Sequence, residues 1–129
     1  MPQKREFIEK FNEAFAGNDS EFITDHMKED VIWTLMGKET FRGKKEVMEE
    51  FKKMKEENII ELTISHIITH ELTASCNGIM KIICPAGNVE ATAFCDVYKF
   101  DKFEPGKIIE ITSYFIPVNL DASEKNQAE

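Results

Sequence analysis

From residue 60 to residue 118 the chain is written in twos. Ile60, Leu62, Ile64, His66 and Ile68 alternate with Glu61, Thr63, Ser65, Ile67 and Thr69. Leu72, Ala74, Cys76, Gly78, Met80 and Ile82 alternate in the same way with Thr73, Ser75, Asn77, Ile79, Lys81 and Ile83. Pro85-Ala86-Gly87-Asn88 marks a turn, a third run extends from about Val89 to Phe100, and Pro105-Gly106 turns the chain into a last run from Lys107 to about Val118. Successive side chains leave a strand on opposite faces, so a period of two is the strand period. Four such runs joined by short turns predict an antiparallel meander with one apolar face, and that face needs a cover.

The cover precedes it. Phe7, Ile8, Phe11, Ala14 and Phe15 recur at steps of three and four, one stripe of a helix that Gly17 closes. Asn18, with Glu21 three residues on, signals the cap of a second, short helix carrying Phe22, Ile23, His26 and Met27. Val31-Ile32-Trp33-Thr34-Leu35-Met36 reads as a strand stopped by Gly37-Lys38. From Gly43 to about Glu57, Val47, Met48, Phe51 and Met54 form the inner stripe of a third helix, with Lys and Glu on a solvated face. The expectation is an α+β fold in the order α-α-β-α-β-β-β-β. It forms a single domain over residues 1–120, followed by a disordered polar tail at 121–129.

Composition narrows the function classes. A chain of 129 residues has room for one core. Sixteen Lys plus Arg against 24 Asp plus Glu leave a formal charge of −8, which repels phosphate backbones and anionic lipid. There is no apolar run of about 18 residues and no signal-peptide core after Met1, so neither nucleic acid nor membrane is expected as partner, and the location predicted is cytoplasmic. Cys76, Cys84 and Cys95 are odd in number and lack CxxC spacing, which predicts reduced thiols packed as small hydrophobes. His66 and His70 stand too far apart along a strand to share an ion, so no metal and no cofactor is predicted.

The element order combines with Phe-Arg-Gly-Lys-Lys-Glu-Val at 41–47 and with Cys-Asp-Val-Tyr-Lys-Phe at 95–100 before Pro-Gly-Lys-Ile-Ile-Glu at 105–110. In this the chain resembles the nuclear transport factor 2-like superfamily, in its SnoaL-like and ketosteroid-isomerase-like branch, over about residues 5 to 118. The resemblance implies a cone-shaped, strongly curved antiparallel sheet wrapped around the N-terminal helices, a pocket between them, and an outer sheet face used for dimerisation. The isomerase members use a Tyr hydroxyl on the first helix, a protonated Asp on a central strand and a carboxylate base near the first strand. The Asp matches Asp96. The Tyr position falls on Phe11 and the base position on or near Leu35, so the steroid-isomerase reaction is excluded. Epoxide-hydrolase relatives use two Asp and an Arg; the only arginines here are Arg5 and Arg42, neither in a central strand. The acid that cyclase relatives carry on the final strand would be Glu110, on the polar alternate. No subfamily's catalytic set is complete, so enzyme and binding module stand as alternatives.

If Phe94, Asp96, Tyr98 and Phe100 face the helices, matching apolar faces sets Asp96 near Gly78 and beside Ile111, and Phe94 near Met80 and beside Ser113. Gly78 would lie opposite Ile64 or His66. In the second case His66 and Asp96 flank a glycine with no side chain, leaving a gap for a small ligand or a water. Apolar surroundings would raise the Asp96 pKa and make it a hydrogen-bond donor or general acid; the structural alternative pairs it with His66, Tyr98 or Asn77. The candidate catalytic residues are Asp96 and His66, the latter also readable as a satisfied core histidine. Candidate ligand contacts are Phe11, Phe15, Trp33, Leu35, Phe51, Met80, Phe94, Tyr98, Ile111, Ser113 and Phe115. The expected function is binding of a small apolar molecule, with isomerase-, cyclase- or dehydratase-type proton transfer on an apolar carbonyl compound. The rival is a non-catalytic binding or interaction module with a residual pocket. Ile108, Tyr114 and Ile116, with Ile79 and Ile83, make an outward apolar stripe that predicts a homodimer through the outer sheet face.

Overall fold

A computed structural model describes residues 2–17, 19–54, 58–103 and 106–118. The cap expected at Asn18, the turn at Pro105 and the tail at 121–129 lie outside the described residues. The elements are α1 (Pro2–Ala16), α2 (Ser20–Asp25), β1 (Met27–Leu35), β2 (Glu39–Arg42), α3 (Lys44–Met54), β3 (Asn58–His70), β4 (Thr73–Ile83), β5 (Val89–Phe100) and β6 (Ile108–Val118). Asp19 caps α2, its carboxylate accepting from the Phe22 N–H at 3.1 Å. The fold is the expected α+β one, a curved, unclosed sheet with helices on its inner face.

Two features extend that expectation. Residues 39–42 form a further strand, β2, paired antiparallel with β1 from Ile32↔Arg42 to Leu35↔Glu39. It is short and mostly exposed, so it carries no apolar alternation by which to be read. The sheet order is β2-β1-β6-β5-β4-β3, in which the meander β3 to β6 is joined to β1 through a parallel pairing of β1 with β6 (Trp33↔Ile111, Leu35↔Ser113). The helices supply Ile8, Phe11, Val47 and Phe51 to a core that the sheet completes with Val31, Trp33, Phe94, Tyr98 and Ile111. Burying each of these large side chains contributes about 1.5–3 kcal/mol.

The strand registers differ from those expected by apolar matching. Asp96 sits opposite Cys76, not Gly78, and opposite Ser113, not Ile111; Phe94 sits opposite Gly78 and Phe115. Each displacement is two residues, which leaves Phe94 and Asp96 on their expected face. Gly78 pairs with Ile64, and the register then shifts so that His66 pairs with Asn77. This bulge in β3 presses the Thr63 carbonyl and the Ile64 Cα against Gly78, where a Cβ would collide with them. The gap expected over Gly78 is therefore filled by backbone. Ile108 is also corrected: it is fully buried, because the register shifts between Lys99 and Phe100 at the start of the β5–β6 pairing. Among the described residues, no helix is long and apolar enough to cross a membrane.

Candidate functional site

Asp96 sits in the middle of β5 with part of its surface open to a cavity between the sheet and the helices. Its neighbour across the ladder is Ser113 of β6, whose hydroxyl donates to Asp96 Oδ1 at 2.6 Å. The direction of that bond is set from behind. Trp33 Nε1 lies 2.9 Å from Ser113 Oγ, and an indole N–H can only donate, so the serine oxygen accepts and turns its own proton to the carboxylate. A second chain reaches the other oxygen. Asn12 Nδ2 donates to the Ile8 carbonyl at 2.9 Å and faces the Tyr98 hydroxyl at 3.5 Å and Cys76 Sγ at 3.6 Å. Tyr98 OH in turn donates to Asp96 Oδ2 at 3.4 Å.

These contacts divide the protons of the site. Burial pushes the Asp96 carboxyl up from 3.8 to about 6, and the hydrogen bonds from Ser113 and Tyr98 hold it from rising further. At pH 7 the carboxylate form predominates. Burial, and after it the Asp96 charge, push Tyr98 well above its ordinary range. The same two causes raise the Cys76 thiol to about 12, so it is an unreactive neighbour. The site therefore holds a carboxyl group raised toward neutrality by burial, as expected, with two hydroxyl donors fixed on it.

Around this group the walls are apolar. Phe94, Met80 and Leu62 come from the sheet on one side, and Ile111 and Phe115 from β6. Phe11 and Phe15 of α1, Phe51 of α3 and Trp33 of β1 close the helical side, with the Trp33 and Phe51 rings 4.6 Å apart. The free volume is about 40 Å³, room for a few waters, since one water needs on the order of 10–15 Å³.

Of the expected ligand contacts, Phe11, Phe15, Trp33, Phe51, Met80, Phe94, Tyr98, Ile111, Ser113 and Phe115 lie around this cavity, as does Asp96. Leu35 does not: it is buried in the core, and Trp33, two residues earlier on the same face, reaches to Ser113 in its place. His66 is corrected too. The β3 bulge leaves it exposed, with Nδ1 3.2 Å from Asn77 Oδ1 and no part in the cavity wall. Asn12 and Leu62 are additions to the expected contacts. Leu62 belongs to the inward alternate of its strand; Asn12 lies one helical turn from Ile8 in the same stripe, a polar residue at an apolar position. Among the described residues no group of three or more His, Cys, Asp or Glu is placed to hold a metal ion.

A family model for the SnoaL-like domain matches residues 8–111. None of the curated proteins compared matches the sequence. Among solved structures, a nuclear transport factor 2-like protein of unknown function from Burkholderia pseudomallei superposes with a TM-score of 0.75 at 20% identity, covering 90% of this chain and 92% of that one. An LEH-like epoxide hydrolase of M. tuberculosis gives 0.72 at 17% identity, over 86% of this chain and 80% of that one. A candidate SnoaL-like polyketide cyclase of Shewanella denitrificans gives 0.75 at 14% identity over the full length of both chains. At these identities the likeness is one of fold.

Proposed function

The chain belongs to the SnoaL-like domain family, and from that premise we propose that it binds a small, largely apolar molecule beside Asp96 and moves a proton on it. The observation that supports this most is the carboxylate itself. Among the described residues lining the cavity, Asp96 is the only acid, and aromatic and aliphatic side chains surround it. A carboxylate in such a setting abstracts a proton from carbon or hydroxyl next to a carbonyl more readily than one in water, because its own hydration is gone. Tyr98 and Ser113 donate to the carboxylate and stabilise its charged form, to which it returns when the proton is passed back to the ligand. The reaction class is isomerase- or lyase-like proton transfer on an apolar carbonyl compound. It is not epoxide opening by two acids and an arginine, since Arg5 and Arg42 are both exposed and neither lines the cavity.

Asp96→Asn tests this. In a thermal-shift panel of apolar ketones, a compound that raises the melting temperature of the native protein should not raise that of the variant, and any turnover should fall by about 10²–10⁴-fold. Equal shifts in both proteins would remove Asp96 from the site.

A second reading is favoured by the outer sheet face, where Tyr114 is 41% and Ile116 63% exposed. Under it, the cavity is residual and the face binds a second copy of the chain. The two readings separate cleanly: Ile116→Lys should lower a sedimentation mass of twice 14.9 kDa to 14.9 kDa without touching ketone binding. A native mass already at 14.9 kDa would dismiss the dimer. We place the protein in the cytoplasm, a reading supported by an odd number of cysteines without CxxC spacing.

A further inference from the structure

The cavity beside Asp96 shares a wall with a second hollow. This outer groove, about 400 Å³, lies between α1, α2 and α3 and is lined by Phe15, Ser20, Ile23, Met48, Phe51 and Lys52. Phe15 and Phe51 line the inner cavity as well. Their rings meet edge to face with centroids 5.5 Å apart, and Phe15 is only half-buried, so the partition between the two spaces is a pair of side chains held by ring contact.

Size decides how the two spaces can be used. Pockets that hold small molecules measure about 300–1,000 Å³. The inner cavity, at about 40 Å³, is far below that range, while the groove falls within it. A molecule that touches Asp96 can therefore place only a narrow end there, and its body has to run past Phe15 and Phe51 into the groove. The groove is apolar along Ile23, Met48 and the two rings. It carries one cation at its edge, Lys52, one helical turn beyond Met48 on the same face of α3. Lys52 is exposed and makes no ion pair among the described residues. The chain as a whole carries −8, so a cation at this mouth runs against the general balance. The two charges also orient a guest: the ionised Asp96 repels an anionic end from the inner cavity and Lys52 attracts it at the outer one.

We propose that the ligand is an elongated amphiphilic anion of the medium-chain carboxylate class. Its carboxylate rests on Lys52, and its chain passes between Phe15 and Phe51 and carries a ketone at the far end, beside Asp96, where the proton transfer takes place. This rests on the reading of the Asp96 cavity as the binding site, and adds to it the class of molecule and its direction.

Octanoate and methyl octanoate, which share a chain and differ in charge, test it by titration calorimetry on the full-length protein. Native protein should bind octanoate about twofold to fivefold more tightly than the ester, the range of an exposed ion pair. Lys52→Met should abolish that preference, the readout being the ratio of the two affinities. Phe15→Trp, which thickens the shared wall, should weaken both. Equal binding of the two probes by native protein, or a preference that survives in Lys52→Met, overturns the anionic class while the ester still attests the apolar site. Binding of octanoate untouched by Phe15→Trp puts it outside the passage and overturns the route. If neither probe binds, the apolar site and the inference built on it both fall.

Discussion

The floor of the cavity and its roof hold their shape by different means. On the floor, Asp96 is fixed by its ladder partners Cys76 and Ser113 and by two hydroxyls directed at it, each hydroxyl held in turn by an N–H donor. On the roof, Phe15 and Phe51 touch each other and their neighbours through ring faces and edges alone. Hydrogen bonds fix direction and dispersion contacts do not. The contrast places rigidity where a charge has to be handled and compliance where a molecule has to enter.

The comparison breaks most easily at Gly78. Gly78→Val drives a side chain into the backbone of β3 and should destabilise the protein by about 3 kcal/mol in urea denaturation, against a much smaller effect for truncating the half-buried Phe15 of the roof. Near-native stability would mean that the β3 bulge yields and that the floor is no stiffer than the helices. Asp96→Asn comes next and acts through pH. The folded carboxyl keeps its proton up to about pH 6, whereas an unfolded one releases it near 3.8. The native protein therefore loses stability as pH rises between those values, and the variant lacks that slope. Relative to the native protein, the variant should gain about 2 kcal/mol between pH 4 and pH 7.5, seen by denaturation at the two pH values. No change in the difference would show that Asp96 is better solvated than its surroundings imply.

Ser113→Ala sharpens the contrast by cutting one chain of donors. It strands the Trp33 N–H and removes the bond to Asp96 Oδ1, so stability should fall by about 1–2 kcal/mol and the Asp96 titration followed by NMR should move above its native midpoint. An unmoved midpoint would assign the hold on Asp96 to Tyr98 alone. The smallest effect belongs to Phe15→Ala, expected near 1 kcal/mol because the ring is half-buried. A loss of several kcal/mol would make the roof as structural as the floor.

On β5 facing is legible in the sequence and register is not. Alternation assigns Phe94, Asp96 and Tyr98 to the inner side, and all three line the cavity. Apolar matching cannot distinguish a pairing from one displaced by two residues, because both keep the same side chains inside; it sets Asp96 opposite Gly78 for that reason. A bulge is harder still. One extra residue between Ile64 and His66 reverses the alternate, and its trace lies on the next strand, in a glycine that admits the bulged backbone. Asn12 is legible in principle, as a polar side chain between Phe11 and Phe15 in an apolar stripe. The depth of the Asp96 shift is not, since it depends on whether Ser113 or Ile111 stands beside it.

The parallel pairing of β1 with β6 has a consequence for biosynthesis. The strand made first finds its long neighbour only in the last strand of the sheet, so until residues 108–118 leave the ribosome β1 has β2 alone to pair with. The antiparallel meander from β3 to β5 can meanwhile assemble from contacts close in sequence, which form faster than distant ones. Closure of β1 onto β6 therefore comes last and seals the cavity as it does so. During translation the indole of Trp33 waits, without its serine, until Ser113 has emerged.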